Sequence, residues 1–181
     1  MGEGISNLSS LGGVVLLAAL FGRNLSHLHR PESQDNEYDL NGEFWKRHRF
    51  YDNILLNIAL QLPNHLRLPG GMNDSNVIFT NMCIHTSTIC LHQAAIFKAE
   101  RNKMPAQMIT ESKRRCIVAA DQVSNIMKLI SHTDLTIVSL EGFQESHSRR
   151  ELIDLIVEPV PFVLCLCFCT RVCAISEITT E

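Results

Sequence analysis

The sequence predicts an all-α protein, an irregular helical bundle, and two observations support this. Apolar and small residues recur at alternating spacings of three and four over residues 109–130, the clearest helical pattern in the chain. Residues 1–139 contain no β-hairpin signal and no internal repeat. We therefore expect helices joined by turns and short loops.

The amino-terminal part of the chain predicts two helices separated by a polar loop. Residues 11–22 are apolar and end in glycine, which predicts the end of a buried helix there. Residues 23–41 are polar and contain a proline, so we expect a surface loop. Asn41 can cap the second helix, and Pro63 should stop it because proline cannot continue a helical hydrogen-bond ladder.

The middle of the chain predicts a turn followed by a long helix. Residues 65–71 form a connector that ends in a tight glycine turn. Asn73, Asp74 and Ser75 are candidate N-caps for the helix that follows. Its apolar residues share a face and are flanked by further apolar side chains, so we expect a central and largely buried helix. The residues of that face are Ile78, Met82, Ile89 and Ile96.

The fourth helix should begin near Pro105, because proline suits the first turn of a helix. Its inward positions include the small residues Ser112, Cys116 and Ala119. Small side chains at these positions would allow a neighbouring helix to approach closely.

Composition excludes two classes of protein. The chain of 181 residues is 45% hydrophobic and 19% charged, as in ordinary globular domains, so disorder of the whole chain is excluded. Its formal net charge of -3 does not suit a basic nucleic-acid module, which relies on neutralising phosphates. Seven cysteines, an odd number, fit a reducing intracellular compartment better than a secreted disulfide framework.

Membrane signals are weak, and we predict no membrane partner. The apolar run of residues 11–21 is about half the length required to span a bilayer. Gly2 and Ser6 formally fit a myristoylation pattern, but such short patterns occur often by chance.

Four cysteines near the carboxyl terminus suggest a metal site, but their spacing does not favour one. Structural zinc ligands usually lie two to four residues apart on turns. Here three of the four alternate with leucine and phenylalanine, which favours an incidental cysteine-rich tail over a zinc site. The four residues are Cys165, Cys167, Cys169 and Cys173.

A second cysteine and histidine set lies on the long helix, comprising Cys83, His85, Cys90 and His92. Helical positions seven apart are separated by about 10 Å, too far to share one metal. We expect buried thiols and hydrogen-bonded histidines. A hydrolase that uses Cys90 or His92 remains an alternative, but the sequence has no nucleophile elbow or phosphate loop. We predict no enzyme and no catalytic or metal-binding residue.

Four consecutive basic residues lie near the start of the second helix: Lys46, Arg47, His48 and Arg49. They could contact a phosphate or a nuclear import receptor, or they could form one solvated face of the helix. We favour the solvated face, with Phe44 and Trp45 packed beneath it.

Several long runs of this sequence resemble the middle homology region of fungal binuclear (six-cysteine) zinc-cluster transcription factors. The runs are GGVVLLAALFGRNL (12–25), HLHRP (27–31), DLNGEFWKRHR (39–49), LPNHLRLP (62–69), IHTSTICLHQAAIFKAE (84–100) and ESKRRC (111–116). The resemblance covers residues 11–139. Residues 1–139 are accordingly expected to be a partial regulatory domain, and residues 140–181 a divergent tail.

The resemblance implies a non-catalytic, all-helical regulatory domain of a nuclear protein that acts in transcription by RNA polymerase II. It implies contacts with other transcription regulators or coregulators, self-association, or a small-molecule effector. In such factors, DNA and zinc are bound by a six-cysteine cluster whose C-x2-C spacing does not occur in this sequence. We therefore expect no cofactor in this chain. An effector-binding sensor, or a truncated product that sequesters partners, is the alternative.

The sequence departs from the family at both ends, so we expect a bundle that is incomplete at both ends. After Leu135 the chain lacks the Asn-Pro-Phe turn and aromatic helix that family members usually have. We hypothesise that Met1 is an internal start and that the tail is not native.

Overall fold

A computed structural model describes residues 7–28 and 39–131 of the chain. These residues form four α-helices and one 3-10 turn, with no strand among them, so the predicted all-α class is confirmed. The elements are α1 (Ser10–Leu28), α2 (Glu43–Gln61), the 3-10 turn (Asn64–Leu66), α3 (Ser75–Arg101) and α4 (Ala106–Ser131). The cysteine-rich tail and the predicted domain boundary after residue 139 lie outside the described residues.

Helix α3 is the centre of the bundle, because each of the other three helices packs against it. Its apolar row faces α4, where Ile78 and Met82 pack with Ile126. Another side of α3 contributes Leu91 to a core shared with α1 and α2. The prediction of a central, largely buried third helix is confirmed.

The predicted end of the first helix at Gly22 is wrong, because α1 continues to Leu28. Asn24 and His27 are buried and continue the inward row of the helix. The Asn24 amide donates to the Ser87 carbonyl of α3 at 3.2 Å, so this last part of α1 is anchored by a polar contact. The first six residues of the predicted 23–41 loop therefore belong to the helix, and residues 29–38 lie outside the described residues.

The predicted cap of the second helix is also wrong. Gly42 is the N-cap of α2, and no side chain caps it. The Asn41 amide instead donates to Asp39 Oδ1 at 2.8 Å, which places Asn41 in a turn before the cap. The predicted stop is confirmed, since α2 ends at Gln61, two residues before Pro63.

The connector between α2 and α3 is a tight turn that is anchored by a buried leucine. Leu66 is fully buried, and the Arg67 guanidinium donates to the Leu62 carbonyl at 2.6 Å near the end of α2. A Cβ atom on Gly71 would lie 2.9 Å from the His65 carbonyl oxygen, which explains why a glycine occupies this turn. Asp74 is the N-cap of α3 and accepts from the Asn76 amide at 2.8 Å, which confirms one of the three predicted candidates.

Helix α4 begins directly after Pro105, whose carbonyl accepts from the Met108 amide at 3.0 Å. Cys116 and Ala119 are buried against α3, and the Cys116 thiol lies 3.8 Å from the Ile89 carbonyl. The prediction that small residues allow a close helix neighbour is confirmed.

Among the described residues, α1 alone is long and apolar enough to cross a membrane by length and composition, with 19 residues and a mean hydropathy of 1.4. The estimate from residues 11–21 was therefore too short. Core helices and signal sequences pass the same test, and Leu17, Leu20 and Phe21 on this helix are buried in the core. The absence of a membrane partner stays a prediction.

Candidate functional site

A buried polar cluster joins α2, α3 and α4, and we call it the polar junction: His48, Asp52, His92, Ser112 and Arg115. The His92 ring of α3 is at its centre, with 3% of the residue exposed. Its Nε2 lies 3.2 Å from Asp52 Oδ1 of α2, and its Nδ1 lies 3.4 Å from Ser112 Oγ of α4. The second Asp52 oxygen lies 3.5 Å from the Arg115 guanidinium of α4. One imidazole and one carboxylate thus link three helices.

Helical spacing brings the α2 members of the junction together. His48 and Asp52 are four residues apart, so they lie on the same side of α2, one turn from each other. The His48 ring packs edge-on against the His92 ring, with 5.1 Å between the ring centroids. The two histidines therefore face each other across the interface between α2 and α3.

His48 is enclosed by aromatic rings and is 7% exposed. It stacks on Phe44 at 6.2 Å and meets Trp45 edge-on at 5.8 Å, as measured between ring centroids. Burial, and to a smaller degree the neighbouring His92, lowers the pKa of His48 to about 3. The His48 ring is therefore neutral at neutral pH.

Asp52 remains charged although it is largely enclosed. Burial alone would raise the pKa of its carboxyl group, but the hydrogen bond from His92 and the charges of His92 and Arg115 outweigh that effect and lower the pKa. The carboxylate is thus the only acidic side chain of the junction, and both of its oxygens have a partner.

Ser112, His92 and Asp52 are the residue types of a nucleophilic triad, but their surroundings do not suit acyl transfer. Ser112 is 8% exposed and lies in the interior of α4. The backbone N–H groups around a residue inside a helix already donate to carbonyls of that helix, so they cannot stabilise an oxyanion. We interpret the arrangement as a cross-link between helices.

The cysteines and histidines of α3 are spread over separate parts of the bundle. Cys83 lies in the apolar core, Cys90 packs against Phe21 of α1, and His92 lies in the polar junction. Burial lowers the pKa of His85 to about 4. Within residues 7–28 and 39–131, no group of three or more histidine, cysteine, aspartate or glutamate side chains is arranged so that it could hold a metal ion. Buried thiols at Cys83 and Cys90 and a hydrogen-bonded His92 are confirmed.

The basic group 46–49 does not form one solvated face, so this interpretation is wrong. Four consecutive helical residues point in all directions around the axis, and His48 is consequently buried while Arg47 is half-buried. Phe44 and Trp45 are buried, as predicted.

The roles of Asp52 and Arg115 were not predicted from the sequence, and Ser112 was predicted only as a small packing residue. One feature of the sequence did point to Asp52: Phe44, His48 and Asp52 are spaced four residues apart, so all three lie on the side of α2 that faces the bundle. A charged residue in an inward row indicates a buried partner. The partner is His92, 40 residues away, and no local pattern in the sequence identifies it.

A comparison with curated proteins finds similarity to a fungal regulator. The chain is 23% identical over 124 residues to "Pigment biosynthesis transcriptional activator pigB" of Monascus ruber, which covers 68% of this chain and 22% of the relative. The alignment thus spans about a fifth of that relative's length. No protein family and no solved structure matches the chain. The likeness supports a general role in transcription regulation, since this relative is an activator and not an enzyme.

Proposed function

We propose that this chain is a regulatory domain of a fungal zinc-cluster transcription factor and acts in the nucleus without catalysing a reaction. The observation that carries the proposal is the likeness to a transcriptional activator over 124 residues. The resemblance of long runs in α1, α2 and α3 to the middle homology region supports it further. The proposal assigns no cofactor to this chain, and it leaves DNA and zinc binding to a six-cysteine cluster elsewhere in the factor.

The bundle would regulate through protein contacts, and the outward face of α1 is the surface we propose for them. Leu11 and Val15 are four residues apart on this helix, and each is 62% exposed. Leu16 beside them is also exposed. Burial of such side chains against a coregulator, or against another part of the factor, would stabilise the contact.

A reporter assay in a fungal host tests the proposal. Residues 1–181 are placed between an unrelated DNA-binding domain and an unrelated activation segment, and transcription is compared with the same fusion without the bundle. We expect transcription to fall about fivefold or more, in the range of ordinary coupling between sites. Equal transcription from both fusions, at equal protein abundance, would contradict a regulatory role.

Substitutions on α1 then test the proposed surface. Leu11→Glu with Val15→Glu places charges on the apolar face and should restore transcription, because burying an unpaired carboxylate is costly. Ser26→Glu is the matched control, since Ser26 is exposed on the same helix and gains the same side chain. Restoration by both changes, or by neither, would argue against α1 as the contact surface.

A further inference from the structure

The buried Nδ1 atom of His48 has no hydrogen-bond partner among the described residues. Asp52 is the acidic group that acts on His48, and its two oxygens pair with His92 at 3.2 Å and with Arg115 at 3.5 Å. The rings of Phe44, Trp45 and His92 surround His48. A protonated His48 would therefore be a buried charge without a hydrogen-bonded counter-ion.

All but one of the ionisable groups that act on His48 add to this cost, and Asp52 is the exception. His27 of α1 and His92 of α3 both disfavour a positive charge on His48. On α2 itself, Arg49 disfavours it and Asp52 favours it. On α4, Arg115 is directed to the Asp52 carboxylate and competes for it.

The two ends of α2 are held by different sets of contacts. Phe44 and Trp45 at its beginning pack with Ala95 and Ala99 of α3 and with Met104. At its other end, Leu55 belongs to a separate apolar core that includes Leu17 and Leu91. His48 contacts Phe44 and Trp45 of the first set, so we expect a charge at His48 to disrupt the first set before the second.

We propose that acid releases the amino-terminal half of α2 from α3 and α4 as a local unit, with His48 as the group that takes the proton. This inference goes beyond the proposed function and does not depend on it. Each pH unit below the ordinary histidine pKa of 6.5 should favour the released form about tenfold, because one proton binds the released ring and not the enclosed one. The packing of the first turns of α2 against α3 and α4 thus depends on pH.

Trp45 provides a direct probe of the release, since it is the one tryptophan of the chain, is 3% exposed and contacts His48. The emission maximum and the far-ultraviolet circular dichroism of the full chain are followed from pH 7.5 towards pH 3. We expect the emission to shift to the red at a higher pH than that at which helical signal is lost. Coincidence of the two transitions would overturn the proposal, since it would indicate global acid unfolding.

Two substitutions separate His48 from a general acid effect. His48→Phe keeps an aromatic ring but removes the titrating group, and it should abolish the early emission shift. His85→Phe is the matched control, because His85 is half-buried on α3 and burial also lowers its pKa. The early shift should persist in this control. An early shift that survives in His48→Phe would overturn the assignment.

If His48→Phe does not fold, amide hydrogen exchange of the unsubstituted chain provides an independent test of the local release. After correction for the intrinsic pH dependence of exchange, amides of residues 44–50 should open about tenfold more per unit fall in pH. Amides of α3 should stay more protected than those of residues 44–50 throughout this range, because they open only when the whole bundle unfolds. Equal protection of both helices at every pH would contradict a local release.

Discussion

Two regions hold this bundle together by different means. The apolar core around Leu17, Leu66 and Leu91 leaves these three side chains 0% exposed, and it contains no ionised group. The polar junction around Asp52 and His92 instead depends on a charged carboxylate and on the protonation state of its histidines. The first region should therefore stabilise the bundle independently of pH. In the second region, the contact of α2 with α3 and α4 should depend on the protonation of His48.

The largest expected effect belongs to the apolar core. Leu91→Ala removes a fully buried side chain and leaves a cavity, so the free energy of unfolding should fall by about 2–5 kcal/mol. Leu60→Ala is the matched control, because Leu60 is 65% exposed, and it should change stability by about 0.5 kcal/mol or less. Urea unfolding measures both. Equal losses would show that the described core does not carry the stability.

A smaller loss is expected when the polar junction is broken at neutral pH. Asp52→Ala removes the partner of the buried His92 Nε2 atom and one of the two carboxylates that pair with Arg115, and the loss of these contacts should cost about 1–3 kcal/mol. Glu100→Ala is the control, since it breaks an exposed ion pair with Lys113 of 3.1 Å, which should matter less. If Asp52→Ala lowers the free energy of unfolding no more than Glu100→Ala does, the polar junction does not stabilise the bundle.

Acid should destabilise the bundle through its enclosed histidines. The pKa values of His48 and His85 are lowered to about 3 and about 4, so the unfolded chain takes up protons from pH 6.5 downward and the folded chain does not. Stability is therefore fully present above pH 6.5 and decreases as the pH falls. Each histidine should remove on the order of 1 kcal/mol between pH 7.5 and pH 5.5.

Thermal or urea unfolding at these two pH values checks this prediction. A chain with both His48→Phe and His85→Phe should lose most of the pH dependence in this interval. The lowered pKa of Asp52 does not contribute there, because its ordinary value is 3.8 and both states are ionised above it. A pH dependence unchanged in the double variant would refute the assignment to these histidines.

The smallest effect concerns α1 and has the opposite sign. A Cβ atom at Gly22 would meet nothing within 4 Å, and the residue lies inside the helix. Gly22→Ala should therefore stabilise the chain by about 0.5–1 kcal/mol, because alanine loses less backbone entropy in a helix. A destabilised variant would indicate that α1 ends near Gly22 after all.

Local patterns in the sequence predicted most of the fold. The repeat of inward residues from Ile109 to Ile130, the stop at Pro63 and the cap at Asp74 all act within one or two helical turns. The end of α1 was missed because its last inward positions are Asn24 and His27, which interrupt an apolar pattern.

The polar junction could not be predicted in the same way. Asp52 and His92 are separated by 40 residues, and His92 and Ser112 by 20 residues. Such pairs form only when three helices have packed, and helical periodicity carries no information about which helices become neighbours. The approach of Ser112 to His92 likewise becomes visible only when the helices have packed.

Full-length sequencing of the transcript that encodes this chain tests the central claim most directly. If the proposed function is correct, the same reading frame also encodes six cysteines with repeated C-x2-C spacing. A complete reading frame that lacks such a cluster would contradict the proposed assignment to a zinc-cluster transcription factor.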